Sequence, residues 1–168
     1  MALSRDEILA HLTELGIGTE TITHPPFHTV EESRRLRGPL PGGHIKNLFV
    51  KDKKSRVFLV VAREDAPLDL KRLHEAIGGS GRVSFGNAAQ LLDLLGVLPG
   101  SVTPLAVVND TGGRVTLVFE RALLEHEVIN VHPLENTATT TLARDDLLRF
   151  VRATGHDPLV VDLPLRDA

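Results

Sequence analysis

Apolar residues in the first sixteen positions fall on one face of a helix. They are Ile8, Leu9, Leu12 and Leu15. Ser4 and Glu7 form a capping-box pair ahead of them, and Gly16 follows the last one. The pattern predicts an N-terminal helix that ends before this glycine.

Helical signals recur in four later segments. Thr29 and Glu32 make a second capping box that opens a short helix towards Arg37. The other three predicted helices are residues 70–77 before Gly78, residues 87–95 before Gly96, and a C-terminal helix around residues 147–151.

Runs rich in β-branched residues predict strands between these helices. Residues 45–50 and 57–61 are expected to pair as a hairpin through the turn at 52–55. Residues 105–108 and 115–119 are expected to form a second hairpin around the turn at 109–113. Further strands are predicted at residues 128–131, 137–142 and 159–161.

These elements predict a mixed α/β fold, in which helices flank one curved mixed sheet or partial barrel. A chain of 168 residues suits one domain, so we expect residues 1–168 to form a single unit. The sequence has no cysteine, which excludes disulfides and thiolate chemistry. It shows neither a leader pattern nor an apolar run of membrane-spanning length, and we therefore expect a cytoplasmic protein that binds no membrane.

Positive charge is concentrated in one stretch of an acidic chain. Residues 34–56 contain eight of the 19 Lys and Arg residues and a single acid, Asp52. Such a zone fits a local anionic partner, although a solvated loop and hairpin tip would have the same composition. The only aromatic residues are six phenylalanines, which argues against base stacking along a single strand. If nucleic acid binds, we expect recognition of its backbone and its end, and no binding of DNA.

Common catalytic motifs are absent. The glycines at 79 and 81 lack the third glycine of a dinucleotide loop, and residues 42–46 lack the Gly-Lys-Ser/Thr ending of a phosphate-binding loop. The eight histidines contain no H-E-x-x-H pair, so no metal site is expected. No motif implies a cofactor.

Residues 43–52, Gly-His-Ile-Lys-Asn-Leu-Phe-Val-Lys-Asp, place Lys46 and Asn47 at the start of a strand. Because side chains alternate along a strand, Asn47 should share a face with Ile45 and Phe49, while Lys46 takes the other. Lys46 is then either a solvated charge at a strand end or a buried group that binds an anion.

Together with residues 24–32, 100–104 and 131–133, this run resembles the YbaK/ProX family of aminoacyl-tRNA editing domains. The resemblance covers roughly residues 4–165 and is greatest to the free-standing prolyl-tRNA editing branch. It implies the family fold and an aminoacyl-tRNA deacylase, an ester hydrolase that acts in trans. The implied partners are the acceptor end of mischarged tRNA(Pro) and prolyl-tRNA synthetase.

The resemblance also implies roles for individual residues. The implied catalytic residues are Lys46, Asn47 and His132. The implied substrate-binding residues are Thr29, Val30, Gly100, Ser101, Val102, Thr103 and Pro104.

Physical chemistry adds detail to these roles. Backbone amides of Gly100, Ser101 and Val102 are candidate donors to the oxyanion of ester hydrolysis. His132 has an alternative role as a strand-end histidine bonded to backbone, and Ser101 and Thr103 have one as turn caps. Four basic residues are expected to guide the acceptor stem: Lys51, Lys53, Lys54 and Arg56.

The expected substrate follows from size. A synthetase that activates proline cannot firmly reject alanine, because one missing methylene is worth only about 1–3 kcal/mol. A second pocket that is too small for proline but admits alanine would hydrolyse tRNA(Pro) mischarged with alanine. Ala-tRNA(Pro) is therefore the expected substrate, and Cys-tRNA(Pro) is the alternative. A binding module that recognises aminoacyl-tRNA or a synthetase without hydrolysis, and less favourably a small-molecule sensor, are the other interpretations.

Overall fold

A computed structural model describes residues 2–26, 29–38 and 40–166. The helices in these residues are α1 (Arg5–Glu14), α2 (Val30–Arg37), α3 (Leu73–Ile77), α4 (Ala88–Leu95) and α5 (Arg144–Ala153). The strands are β1 (Glu20–Thr23), β2 (Gly43–Lys51), β3 (Val57–Arg63), β4 (Ser84–Phe85), β5 (Val115–Glu120), β6 (Val128–Val131), β7 (Ala138–Ala143) and β8 (Leu159–Val161). Two 3₁₀ helices occupy Pro104–Asn109 and Arg121–Glu125.

The strands form one mixed sheet in the order β1-β7-β6-β2-β3-β5-β8, with β4 added beside β2. The β2–β3, β1–β7 and β6–β7 pairs are antiparallel, whereas β2–β6, β3–β5 and β5–β8 are parallel. The expected mixed α/β sheet flanked by helices is confirmed. So is the first hairpin, in which Val50 lies opposite Phe58.

The second predicted hairpin is wrong, because residues 105–108 form a 3₁₀ helix. A short apolar run suits a buried helical turn as well as a strand. Here Pro104 occupies the first turn, and the Thr103 hydroxyl accepts a hydrogen bond from the Leu105 N–H. β5 instead pairs in parallel with β3, with Val115 opposite Val57.

Other boundaries differ less. The helix expected over residues 70–77 begins only at Leu73, after Leu68 has bridged to Leu165. The short strands β1 and β4 and the 3₁₀ helix Arg121–Glu125 carry no strong periodic signal and were not predicted.

The hydrophobic core has two parts, one on each face of the sheet. Phe49 and Val61 belong to the larger cluster, which α1, α4 and α5 cover, and Val50 and Val60 belong to the smaller one beside α3. This alternation is the expected period of two along a strand. In the part of the chain that the structure describes, no helix is long and apolar enough to cross a membrane.

Candidate active site

The sheet has an opening beside β2. β2 pairs with β6 only at residues 43–44 and with β4 only at residues 50–51. The His44 carbonyl accepts from Glu64 and the Asp52 N–H donates to Arg56, so even-numbered residues of β2 direct their backbone towards β3. The backbone of Asn47 therefore points the other way, into the interval between β6 and β4. We call this interval, along residues 45–49, the sheet opening.

Asn47 has an unsatisfied side chain at this position. Its Oδ1 atom is excluded from solvent and accepts no hydrogen bond from any described residue. Leaving such a polar atom unpaired typically costs about 1–3 kcal/mol. The side chain shares the face of Ile45 and Phe49, which pack in the same cluster as Val102 of the 100–104 loop. Asn47 thus presents an acceptor that a bound molecule can satisfy.

Lys46 lies on the opposite face, as its alternation with Asn47 predicts. Its Nζ atom donates to the Ala66 carbonyl, and the side chain is half-buried. Burial lowers the pKa of Lys46, the nearby positive charge of Arg166 lowers it further, and Glu120 and Asp65 oppose that change. The geometry favours a partly desolvated cation over a freely solvated strand-end charge.

A buried ion pair near Lys46 was not foreseen from the sequence. Arg63 donates to Glu120 through Nε at 2.9 Å, Nη2 at 2.9 Å and its backbone N–H at 3.0 Å. Burial alone would raise the pKa of Glu120, but the hydrogen bonds and charge of Arg63 lower it. Since Arg63 occupies this carboxylate, Lys46 keeps its charge available. Nothing in the spacing of Arg63 and Glu120 along the chain signals their contact.

The loop at residues 100–104 supplies fewer free amides than expected. The Ser101 N–H already donates to the Leu98 carbonyl at 3.0 Å, so it is engaged within the loop. Thr103 is fully buried and caps the following 3₁₀ helix, which fits its alternative role as a turn cap. Among the described residues, the Val102 N–H has no protein acceptor. Gly100 adopts φ 90°, a conformation that glycine tolerates.

His132 follows β6 at the edge of the opening. β6 pairs with β2 up to Asn130, which lies opposite His44, and His132 is two residues further along the chain. Its Nδ1 atom lies 3.2 Å from the Ala138 carbonyl. Burial lowers the pKa of His132, and the charge of His24 acts in the same direction, although the Ala138 hydrogen bond opposes them. The contact with Ala138 is consistent with the alternative of a strand-end histidine bonded to backbone.

Asn130 is a second polar residue that the sequence did not single out. Its Nδ2 atom donates to the carbonyls of Pro41 at 3.0 Å and Gly43 at 3.2 Å, and its Oδ1 atom accepts from Thr141 at 2.6 Å. Gly42 in the same loop has φ 98°, and a Cβ there would lie 2.6 Å from the Val128 carbonyl oxygen. These contacts fix the loop that leads into β2 and the opening.

Thr29 and Val30 lie at the start of α2. The Thr29 hydroxyl accepts from the Glu32 N–H at 3.0 Å and caps the helix, as the capping-box pattern predicts. Val30 is the first residue of α2. The neighbouring residues 27 and 28 lie outside the described residues. Substrate contact by Thr29 and Val30 stays a prediction.

The hairpin tip between β2 and β3 is organised by Asp52. Its carboxylate accepts from the backbone of Lys54, Arg56 and Ser80 and from Arg56 Nε, all at 2.9 Å. Burial would raise the pKa of Asp52, yet these hydrogen bonds lower it to about 2. Arg56 also donates to the Gly78 carbonyl at 2.9 Å, so its guanidinium has a structural role.

Three lysines at this tip differ from Arg56. Lys53 and Lys54 are exposed and Lys51 is half-buried. Within residues 40–166, none of the three has an ion-pair partner. They remain available to an anion, whereas Arg56 is engaged by Asp52.

The structure brings some of the expected residues together. Asn47 and Val102 share a face of the sheet, and His132 borders the same opening. Lys46 lies on the opposite face of β2 from Asn47. The hairpin tip, with Lys51, Lys53 and Lys54, is at the far end of β2. No hydrogen bond among the described residues joins Asn47, His132 and the 100–104 loop directly.

A known protein family matches most of this chain. The model of the aminoacyl-tRNA editing domain matches residues 24–150, which include β2, the 100–104 loop and His132. The chain belongs to the aminoacyl-tRNA editing domain family. The expected family resemblance is confirmed.

Individual relatives of this editing domain cover almost the whole chain. It is 35% identical over 161 residues to the prolyl-tRNA editing protein ProX of Acetoanaerobium sticklandii, covering 95% of this chain and 98% of that protein. It is 40% identical over 162 residues to the mouse prolyl-tRNA synthetase associated domain-containing protein 1, covering 94% and 95% respectively. A crystal structure described as a candidate trans-editing enzyme for prolyl tRNA synthetase superposes with a TM-score of 0.71 at 21% identity, covering 97% and 99%; it supports the fold alone.

Proposed function

We propose that this editing domain, residues 1–168, is a trans-acting hydrolase that deacylates mischarged tRNA(Pro), chiefly Ala-tRNA(Pro). The family and the ProX relative support a prolyl-tRNA editing role. The proposal further assigns hydrolysis, RNA binding and a cytoplasmic location to this chain. It takes the acceptor end of the tRNA as substrate and prolyl-tRNA synthetase as the associated enzyme.

The sheet opening is the observation that carries the proposal. At Asn47 the backbone faces away from β3, and the side-chain Oδ1 atom is buried without a donor among residues 2–26, 29–38 and 40–166. A fold that only needed a strand here would favour an apolar residue, because an unpaired amide oxygen is costly. The α-amino group of an aminoacyl ester and a ribose hydroxyl can each donate a hydrogen bond to this oxygen.

The chemistry requires little from side chains. An aminoacyl-tRNA is an activated ester: water attacks its carbonyl carbon, the bond to the ribose oxygen breaks, and that oxygen takes up a proton. The ribose hydroxyl next to the ester can relay this proton, because it can take one proton from the attacking water and give its own to the leaving oxygen. The Val102 N–H is a candidate donor to the developing oxyanion, and removal of such a donor typically costs about 2.7–4 kcal/mol of barrier.

Lys46, Asn47 and His132 have distinct proposed roles in this scheme. Lys46 neutralises a phosphate near the terminal nucleotide. Asn47 holds the aminoacyl end in the opening. His132, whose pKa is lowered by burial, contributes a hydrogen bond to the substrate.

Deacylation of Ala-tRNA(Pro), Cys-tRNA(Pro) and Pro-tRNA(Pro) tests the proposal directly. We expect rapid loss of alanine, slow or no loss of proline, and loss of activity in Lys46→Ala. A 2′-deoxy terminal adenosine should slow the reaction if the ribose hydroxyl activates the water. Preferential loss of cysteine would keep the mechanism and correct the substrate. Tight tRNA binding without hydrolysis of any substrate would identify a binding module.

A further inference from the structure

The backbone of Arg166 lies next to the residues that Lys46 contacts, on the face of β2 opposite Asn47. Lys46 Nζ donates to the Ala66 carbonyl. The Arg166 N–H donates to the next carbonyl along, that of Pro67, at 2.7 Å. The antiparallel bridge from Leu68 to Leu165 holds the C-terminal segment in this position. Two residues 120 positions apart in sequence thus anchor on adjacent carbonyl groups.

The local charge balance leaves these two cations without a matching pair of anions. Glu120 is bound on both carboxylate oxygens by Arg63. Asp65 is the remaining acid that acts on Lys46. Among the described residues, neither Arg166 nor Asp65 has an ion-pair partner. The positive charge of Arg166 lowers the pKa of Lys46, as expected for like charges near each other.

Other exposed arginines contrast with Arg166. Arg114 pairs with Asp93, Arg121 with Asp162, and Arg152 with Asp157, at 3.2–4.0 Å. These pairs are on the surface and contribute little to stability. They nevertheless show that an acid is the usual neighbour of an arginine on this surface. Among the described residues, Arg166 has no such acid.

We propose that Lys46 and Arg166 together bind one phosphodiester group of the RNA substrate. This inference rests on the proposed function and adds Arg166 to its RNA-binding residues. A phosphate between the two cations replaces their repulsion with two charge-assisted contacts. The guanidinium can engage two phosphate oxygens at once, while the lysine acts as a point charge. The Arg63–Glu120 pair keeps the neighbouring carboxylate from neutralising Lys46.

Binding of a microhelix RNA with a CCA end tests the inference. Fluorescence anisotropy over a range of salt concentrations would compare wild type, Arg166→Ala, Arg166→Lys and the control Arg152→Ala. Loss of one phosphate contact should weaken binding about 3- to 10-fold and reduce the salt slope by roughly 0.7. Arg166→Lys should recover most of the affinity, and Arg152→Ala should match wild type.

Deacylation kinetics and a double variant of Lys46 and Arg166 test the shared phosphate contact further. In deacylation assays, Arg166→Ala should raise KM and leave kcat near its wild-type value. Arg166→Ala should have a smaller effect in a Lys46→Ala background, because the two residues share one ligand. Thermal unfolding of Arg166→Ala should match wild type, since the side chain is exposed.

The results separate this inference from the hydrolase proposal. If wild type deacylates its substrate but Arg166→Ala behaves like Arg152→Ala, the phosphate site is wrong and the hydrolase stands. If no substrate is hydrolysed but RNA binding depends on Arg166 and on salt as described, the site stands and the hydrolase is wrong. Displacement of the RNA by inorganic phosphate well below the concentration at which sodium chloride displaces it would assign the site to a free anion and overturn the inference.

Discussion

Asp52 and Asn47 lie five residues apart on the same hairpin and are opposites in hydrogen bonding. The Asp52 carboxylate receives four hydrogen bonds, three from Lys54 and Arg56 of the hairpin and one from Ser80 in the loop after α3. The Asn47 Oδ1 atom is equally hidden from solvent and receives none from the residues that the structure describes. Polar groups enclosed by a fold are almost always satisfied by it. The difference indicates that Asp52 serves the architecture of the hairpin, and it agrees with the proposal that Asn47 binds the substrate.

Substitution of Asn47 gives the strongest test of this contrast. We expect Asn47→Ala to reduce kcat/KM for Ala-tRNA(Pro) about 10- to 100-fold, the range that loss of one buried hydrogen bond to a charged group implies. Stability should be unchanged or slightly higher, because the unpaired oxygen is removed. Deacylation kinetics and thermal unfolding of the same samples measure both effects.

A second variant, Asn47→Leu, distinguishes the loss of the polar group from a loss of side-chain packing. Asn47→Leu keeps the branched shape and the number of side-chain heavy atoms, so it should be folded and as inactive as Asn47→Ala. Retained activity together with a large loss of stability would show that Asn47 is structural and would remove the contrast with Asp52.

Asp52→Asn should show the reverse pattern, with a lower Tm and near-normal activity in the folded protein. Because the pKa of Asp52 is held at about 2 against an ordinary 3.8, its ionised form stabilises the fold above pH 4. That contribution declines as the pH falls from about 4 to 2. The Tm difference between wild type and Asp52→Asn should therefore shrink over this window. A difference that is constant from pH 7 to 2 would contradict the role of the ionised carboxylate.

The sequence predicted the hairpin because local rules apply to it. Alternating β-rich runs and the polar turn at 52–55 specify two paired strands, and the alternation also places Lys46 and Asn47 on opposite faces. Capping residues likewise specified α1, α2 and α4, because each cap acts within three positions of its own helix. Local rules gave the wrong prediction for residues 105–108. They were expected to form a strand, but they follow Pro104 in the first turn of a 3₁₀ helix.

The site depends on information that is not local. The sheet opening exists because β2 leaves β6 after residue 44 and meets β4 only at residue 50, and neither partner is adjacent to it in sequence. The Arg63–Glu120 pair and the approach of Arg166 to Lys46 are set by tertiary register. The family resemblance supplied Lys46, Asn47 and His132 as candidates, but not the engagement of the Ser101 amide by Leu98.

Substitution of the exposed lysines at the hairpin tip, Lys53 and Lys54, should have the smallest effect on activity. Lys53 and Lys54 are exposed beside the Asp52 network but do not contribute side chains to it. If they guide the acceptor stem, Lys53→Ala with Lys54→Ala should raise KM about two- to threefold at low salt and lose this effect at high salt, where exposed charges are screened. Lys71→Ala, another exposed lysine, is the matched control. Equal kinetics for the double variant and this control at every salt concentration would assign the two lysines to a solvated turn, leaving Lys46 and Arg166 as the cations that meet the RNA.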